Sequence, residues 1–226
     1  MNKGTIIKIF IAVLILIVIG GLLYFVFSDK EDNQKFKNEY ESLNGQKNEH
    51  GKTYVEVSVI EDNNVKYASF DEVMDFLNEG TGILYLGFPE CPWCRNMVPI
   101  LTETAKEEEV STLYYFNALS IRDIKELNDE GKIVVKQQGT KEYYELVDKL
   151  SDFLTPYEGL NDDSIKRIYF PTVVFVQGGK IVDVHIGTVD SQEDPYKVLN
   201  KKQKAELKKI YQNSIKKIYG ICDESC

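Results

Sequence analysis

Cys91-Pro92-Trp93-Cys94 is the segment of this chain best equipped for chemistry; it follows the apolar run Ile83–Phe88 and leads into a stretch with helical character. A strand ending in a short turn sets Cys91 at the first turn of a helix, where unpaired N–H groups and the positive end of the dipole favour a thiolate. Cys94, three residues on, returns to the same face and can close a disulfide with it. One sulfur attacks and the other resolves. The same spacing opens many zinc sites, and a pair of inert core cysteines is the blander reading. Zinc needs two further thiolates or imidazoles, and the chain offers only Cys222, Cys226, His50 and His185, in an arrangement unlike paired knuckles. Pro92 suits a helix start better than a core position. The redox reading leads, with no metal and no cofactor beyond the Cys91–Cys94 dithiol or disulfide.

The surrounding elements alternate between strand and helix signals, an α/β pattern. Thr53–Ile60 alternates apolar and polar residues and reads as a strand. Ser69 and Glu72 have capping-box spacing, and Phe70, Val73, Met74 and Leu77 share one helical face before Gly80. Ile83–Phe88 is the buried central strand, Cys91 to about Glu109 a helix bent at Pro99, and Leu113–Phe116 the next strand. Ser120 is expected to cap a helix carrying Ile121, Ile124 and Leu127 as far as Gly131. Residues 132–168 read as an insertion. Within it Tyr143, Tyr144, Val147, Leu150, Phe153 and Leu154 form a helical stripe, packed on the core in preference to a substrate lid and stopped by Thr155-Pro156. Asp194-Pro195 opens a last helix to about Tyr219, closed by Gly220.

Two motifs together, the strand leading to Cys91-Pro92-Trp93-Cys94 and the later Phe170-Pro171-Thr172-Val173-Val174-Phe175-Val176, resemble the thioredoxin-like family from about Thr53 to about Gly187 and on into the C-terminal helix. The resemblance implies a thioredoxin-like α/β fold, a central mixed sheet flanked by helices, to which the residues of this chain add a helical insertion and an N-terminal transmembrane helix. It implies Cys91 as the nucleophile and Cys94 as the resolving thiol. It further implies a cis bond before Pro171, which presents the Phe170 backbone to an extended substrate, and a hairpin of Thr172–Val176 with Ile181–Ile186 around Gly178-Gly179. Phe88 and Trp93 are expected to supply an apolar rim for substrate, while Arg95 favours thiolate character and Glu90 opposes it. Two departures bear on direction. The family commonly buries an acid six positions before the first cysteine, where this chain has Tyr85, and Pro92-Trp93 replaces the common Gly-Pro. Reductant, oxidant and isomerase all fit.

The ends of the chain suggest where this chemistry takes place. Residues 9–27 contain no charge and are almost wholly apolar, about one hydrocarbon core as a helix. An uncleaved membrane anchor is preferred to a signal peptide, because the run exceeds the usual h-region and no small-residue cleavage site precedes Ser28. Lys3 and Lys8 precede it and Asp29, Glu31 and Asp32 follow, so residues 1–8 are expected in the cytoplasm and the domain outside, where disulfides persist. Residues 28–52 read as a flexible tether, 53–220 as the thioredoxin-like domain and 221–226 as a tail. The tail's Cys222 and Cys226 form a local disulfide, a redox shuttle to Cys91 and Cys94, or an intermolecular or metal link. A net charge of −9 without a basic patch excludes nucleic acid as a partner. The acidic clusters Glu107–Glu109 and Asp162-Asp163 lack calcium-loop spacing and read as solvated surface.

The whole describes a membrane-anchored, extracytoplasmic thiol–disulfide oxidoreductase acting on exported or cell-surface proteins, with a membrane redox partner as a further expectation. It resembles in particular the thioredoxin-like accessory proteins associated with bacteriocin export. The competing reading is a non-catalytic binding or accessory module of an export system that displays the Phe170-Pro171 groove.

Overall fold

In the computed structural model, which describes residues 10–11, 13–16 and 31–220, a helix over residues 31–41 (α1) precedes β1 (Val65–Tyr67), α2 (Phe70–Glu79), β2 (Gly82–Leu86) and α3 (Pro92–Glu107). There follow β3 (Leu113–Phe116), β4 (Ile124–Leu127), β5 (Ile133–Gln137), α4 (Lys141–Lys149), a 3-10 turn at Ser151–Phe153, β6 (Thr172–Gln177), β7 (Lys180–Ile186) and α5 (Lys201–Ile218). The central sheet has the order β1-β3-β2-β6-β7, with β1, β3 and β2 parallel and β6 and β7 antiparallel to their neighbours. It is thus a mixed sheet flanked by helices. Every residue of β2 is buried because both faces of that strand are covered. Ile83 and Tyr85 face a core shared with α1, α3 and α5, whereas Leu84 and Leu86 face one shared with α2 and α4.

Local chemistry accounts for the elements nearest the cysteines. Ser69 and Glu72 form the expected capping box, and α2 ends at Gly80. β6 and β7 make the expected hairpin, and α4 packs Tyr143 and Leu146 into the second core, with Leu150 and Leu154 beyond it.

Several expectations are corrected. Residues 120–131 are not a helix: β4 and β5 form an antiparallel hairpin around the Asn128–Lys132 turn, in which the Asn128 carboxamide accepts from the Glu130 and Lys132 N–H groups and Gly131 takes φ of 72°. The departure from a minimal sheet-and-helix pattern therefore begins before residue 132. The last helix starts not at Pro195 but at Lys201, where Asn200 and Gln203 form a capping box.

The largest difference concerns residues 28–52. Instead of a loose tether, α1 buries Phe36 and Tyr40 completely in the first core. Behind it, Thr53–Ile60 has the expected alternation, with Val55, Val57 and Val59 buried, yet forms no strand. Side chains replace the ladder. Asn44 donates to the Val57 carbonyl (2.7 Å) and accepts its N–H (2.9 Å), Glu41 accepts from Val59 N–H (2.8 Å), and Lys37 donates to the Val59 carbonyl (2.7 Å). Backbone groups buried without a sheet partner require such substitutes.

Arg95 completes this layer. Fully buried, it donates to the carbonyls of Val55 (2.6 Å), Tyr40 (2.8 Å) and Pro89 (3.1 Å) and to the Asn44 side-chain oxygen (2.8 Å). Its guanidinium is spent on binding α1 and the extended segment to α3, which corrects the expectation that it supports a thiolate. Among the described residues no helix is long and apolar enough to cross a membrane. The predicted span 9–27 lies mostly outside the described residues; of it, 10, 11 and 13–16 are helical with exposed side chains.

Arg95→Met is expected to lower the unfolding free energy by about 3 kcal/mol or more, because several buried acceptors lose a donor at roughly 1–3 kcal/mol each. Urea unfolding of the two proteins measures this, and a difference below about 0.5 kcal/mol, the range of neutral surface changes, would refute the role.

Candidate active site

Antiparallel pairing of β2 with β6 sets Leu86 opposite Thr172 at one end of the sheet. The chain leaves β2 there toward Cys91 and enters β6 there from Phe170-Pro171. Cys91 is the N-cap of α3, with Pro92 in the first turn, and its sulfur accepts the Cys94 N–H at 3.2 Å, the position an N-cap oxygen takes in other helices. Its thiol donates to the Phe170 carbonyl at 3.6 Å, across 79 residues of sequence. The Phe170–Pro171 bond is cis. Thr172 Oγ1 donates to the Tyr169 carbonyl (2.6 Å), and Gly187 N–H donates to that of Pro171 (2.8 Å), so the loop is tied on both sides. Both cysteines are free thiols; Cys91 is 4% exposed and Cys94 not at all.

Cys94 lies among tyrosines. Tyr85, Tyr40, Tyr115 and Tyr211 are all buried, and each feels the Cys94 sulfur electrostatically. Burial pushes the Cys94 thiol well above its ordinary value, the neighbouring Cys91 raises it further, and a hydrogen bond from the Tyr85 hydroxyl opposes both. The Tyr85 hydroxyl in turn meets that of Tyr40 at 2.6 Å. Position 85, where the resemblance leads one to expect an acid, therefore holds a neutral donor. Its own ionisation is pushed well up by burial, so it remains an O–H. Gly87 makes room for this phenol: a Cβ there would lie 2.2 Å from the Tyr85 hydroxyl oxygen.

A groove of about 220 Å³ opens beside Cys91, lined by Phe88, Glu90, Pro92, Arg122, Arg167, Ile168, Tyr169 and Phe170. The rings of Phe88 and Phe170 meet edge to face at 5.4 Å. Of the residues expected at the site, Phe88, Phe170 and Cys91 come together here, with Pro171 buried just behind. Trp93 does not line the groove; it packs, partly buried, against the first core. Sequence reasoning passed over Tyr40, Arg122 and Arg167. A signal for the last two was present, since only three of the 27 basic residues are arginine.

Cys222 and Cys226 lie outside the described residues. α5 begins beside α3, where Leu199 N–H donates to Asn96 (3.0 Å), and after 18 residues, about 27 Å, Gly220 ends near Gln177, at the sheet end opposite Cys91. His185 Nε2–H donates to the Thr188 carbonyl (2.7 Å), and burial lowers its pKa. Among the described residues no three His, Cys, Asp or Glu side chains converge as metal ligands. Comparison with family models, curated proteins and solved structures finds no match.

In a Cys91→Ala background, Tyr85→Phe removes the donor that stabilises ionised Cys94. The expected result is a pH profile of Cys94 alkylation displaced to higher pH and a rate near neutrality lower by roughly tenfold, the scale of one charge-assisted hydrogen bond. Superimposable profiles would show that the hydroxyl does not act on the sulfur.

Proposed function

We propose that the chain is a thiol–disulfide oxidoreductase of thioredoxin-like type that works through Cys91 and Cys94 on protein disulfides. One observation carries this reading: the Cys91 sulfur sits at a helix N-terminus, within 3.6 Å of a carbonyl that precedes a cis proline, with a second free thiol one turn behind it. The mixed sheet flanked by helices is compatible with such a fold.

In the reducing direction, ionised Cys91 attacks one sulfur of a substrate disulfide. A Cys91–substrate bond forms, the substrate S–S bond breaks, and the other substrate sulfur leaves as a thiolate that takes up a proton. Cys94 then gives up its proton, attacks Cys91, closes the Cys91–Cys94 disulfide and releases the second substrate thiolate. The substrate gains two electrons and two protons, and the dithiol loses them. Every step runs backward when the protein starts oxidised. Tyr85 assists the second step by hydrogen bonding to the sulfur as it ionises, the part a buried carboxylate plays in thioredoxins.

The location follows from sequence: an anchor over 9–27 and a domain outside the membrane, acting on exported or cell-surface proteins. The alternative, a non-catalytic module of an export system, would use the same groove without electron transfer.

Insulin reduction by the full chain, with Cys91→Ser as control, tests the activity. Turnover should fall by roughly a thousandfold or more when the nucleophile is removed, while Cys94→Ser should trap a mixed disulfide that mass spectrometry detects. Equal activity of the Cys91→Ser protein and its parent removes the enzyme reading.

A further inference from the structure

The chain has 24 lysines and three arginines. Arg95 is consumed by carbonyls behind α3. The other two, Arg122 ahead of β4 and Arg167 ahead of β6, come from segments 45 residues apart and converge on the groove that contains Cys91. Neither is in an ion pair among the described residues, although the chain holds 36 Asp and Glu. Asp123, next to Arg122, is taken by Lys125 at 2.7 Å. Glu90 is the one carboxylate on the groove wall, and it is exposed.

Aromatic faces hold both guanidinium groups. Arg122 lies over Phe88 (5.9 Å) and Phe170 (5.8 Å), the two rings beside the thiol, and Arg167 over Tyr157 (4.3 Å) and Tyr169 (5.5 Å). A guanidinium stacked in this way is fixed in plane and keeps its N–H edge for a carboxylate. Arg167 Nε is buried without a hydrogen-bond partner. Burial and the neighbouring Arg167 charge both lower the pKa of Arg122, so the pair is held together against its own repulsion. An anion between them would relieve it.

We propose that this groove selects disulfides in peptide segments that carry carboxylates next to the cysteine, with Arg122 and Arg167 binding the acidic side chains; this rests on the exchange chemistry proposed above. A chain of net charge −9 repels acidic substrates at long range, and two arginines beside the thiol supply the local attraction that offsets it. Peptide rather than a small disulfide is favoured by Phe170. Its carbonyl accepts the Cys91 thiol in the reduced state, and once Cys91 is in a mixed disulfide no S–H remains, which frees that carbonyl for a substrate N–H.

The test uses the reduced full chain in detergent and two oxidised peptides. One is Cys-Asp-Glu-Ser-Cys, the acidic cysteine pair of residues 222–226, and the other is Cys-Asn-Gln-Ser-Cys. The fluorescence of Trp93, the single tryptophan, follows oxidation of the dithiol beside it. At low salt the acidic peptide should react about tenfold faster than the neutral one, the scale of one charge-assisted contact, and in the Arg122→Gln/Arg167→Gln protein the ratio of the two rates should fall to about one. Equal rates in the parent protein, or a preference that survives in the double variant, overturn the proposal. If the variant also slows with the neutral peptide, the parent's salt dependence decides. A preference that shrinks as salt rises supports the proposal, and one that does not move overturns it. Oxidised glutathione forms a third arm, and an arginine-dependent rate above that of the acidic peptide overturns the peptide assignment in favour of a small carboxylate-bearing disulfide. No reaction with any of the three removes the exchange reading itself.

Discussion

The register between β2 and β6 is the constraint from which the site follows. With Leu86 opposite Thr172, the exits of two strands distant in sequence lie side by side, and each leads directly to a reactive feature: a helix capped by a sulfur and a loop ending in Pro171. A slip of one residue would turn Thr172–Gln177 over and exchange the residues that face the two cores. Val173 and Phe175 belong to one core, Val174 and Val176 to the other, so burial on both faces holds the register that brings the Cys91 sulfur to Phe170.

Behind that contact lies a layer of buried phenols. The phenols of Tyr40, Tyr85, Tyr115 and Tyr211 all act on the Cys94 sulfur. The donor that reaches it, Tyr85, is supported by Tyr40 from α1, and α1 is held in turn by Arg95 and by the side chains that satisfy Val55, Val57 and Val59. The segment that joins the apolar N-terminal stretch to the domain is therefore part of the environment of the second thiol.

What could be read from sequence was what local patterns determine. Ser69 with Glu72, the unbroken apolar run of β2, the helix following Cys91 and the glycine pair of the β6–β7 hairpin each have a short-range cause, and each stands where it was expected. Cys91 meeting Phe170 was accessible only through the resemblance, since no local rule pairs residues so far apart. The misread segments share a physical reason. Ile121, Ile124 and Leu127 have helical spacing, but the Asn128 turn and pairing with β5 override it. Residues 31–52 are polar in composition and still form structure, because Phe36 and Tyr40 fill a core whose other walls lie far along the chain. Tyr40, Arg122 and Arg167 reach the site through tertiary packing alone, and single positions of that kind carry no periodic signal.

Gly87 and Tyr85 are a single decision written at two positions. The phenol lies back over the glycine, in the space where any other residue would place its first carbon. With a smaller side chain at 85, position 87 would be free to carry a Cβ, whereas tyrosine at 85 takes that space. The bare stretch of backbone just ahead of the cysteines is thus the footprint of the phenol behind them.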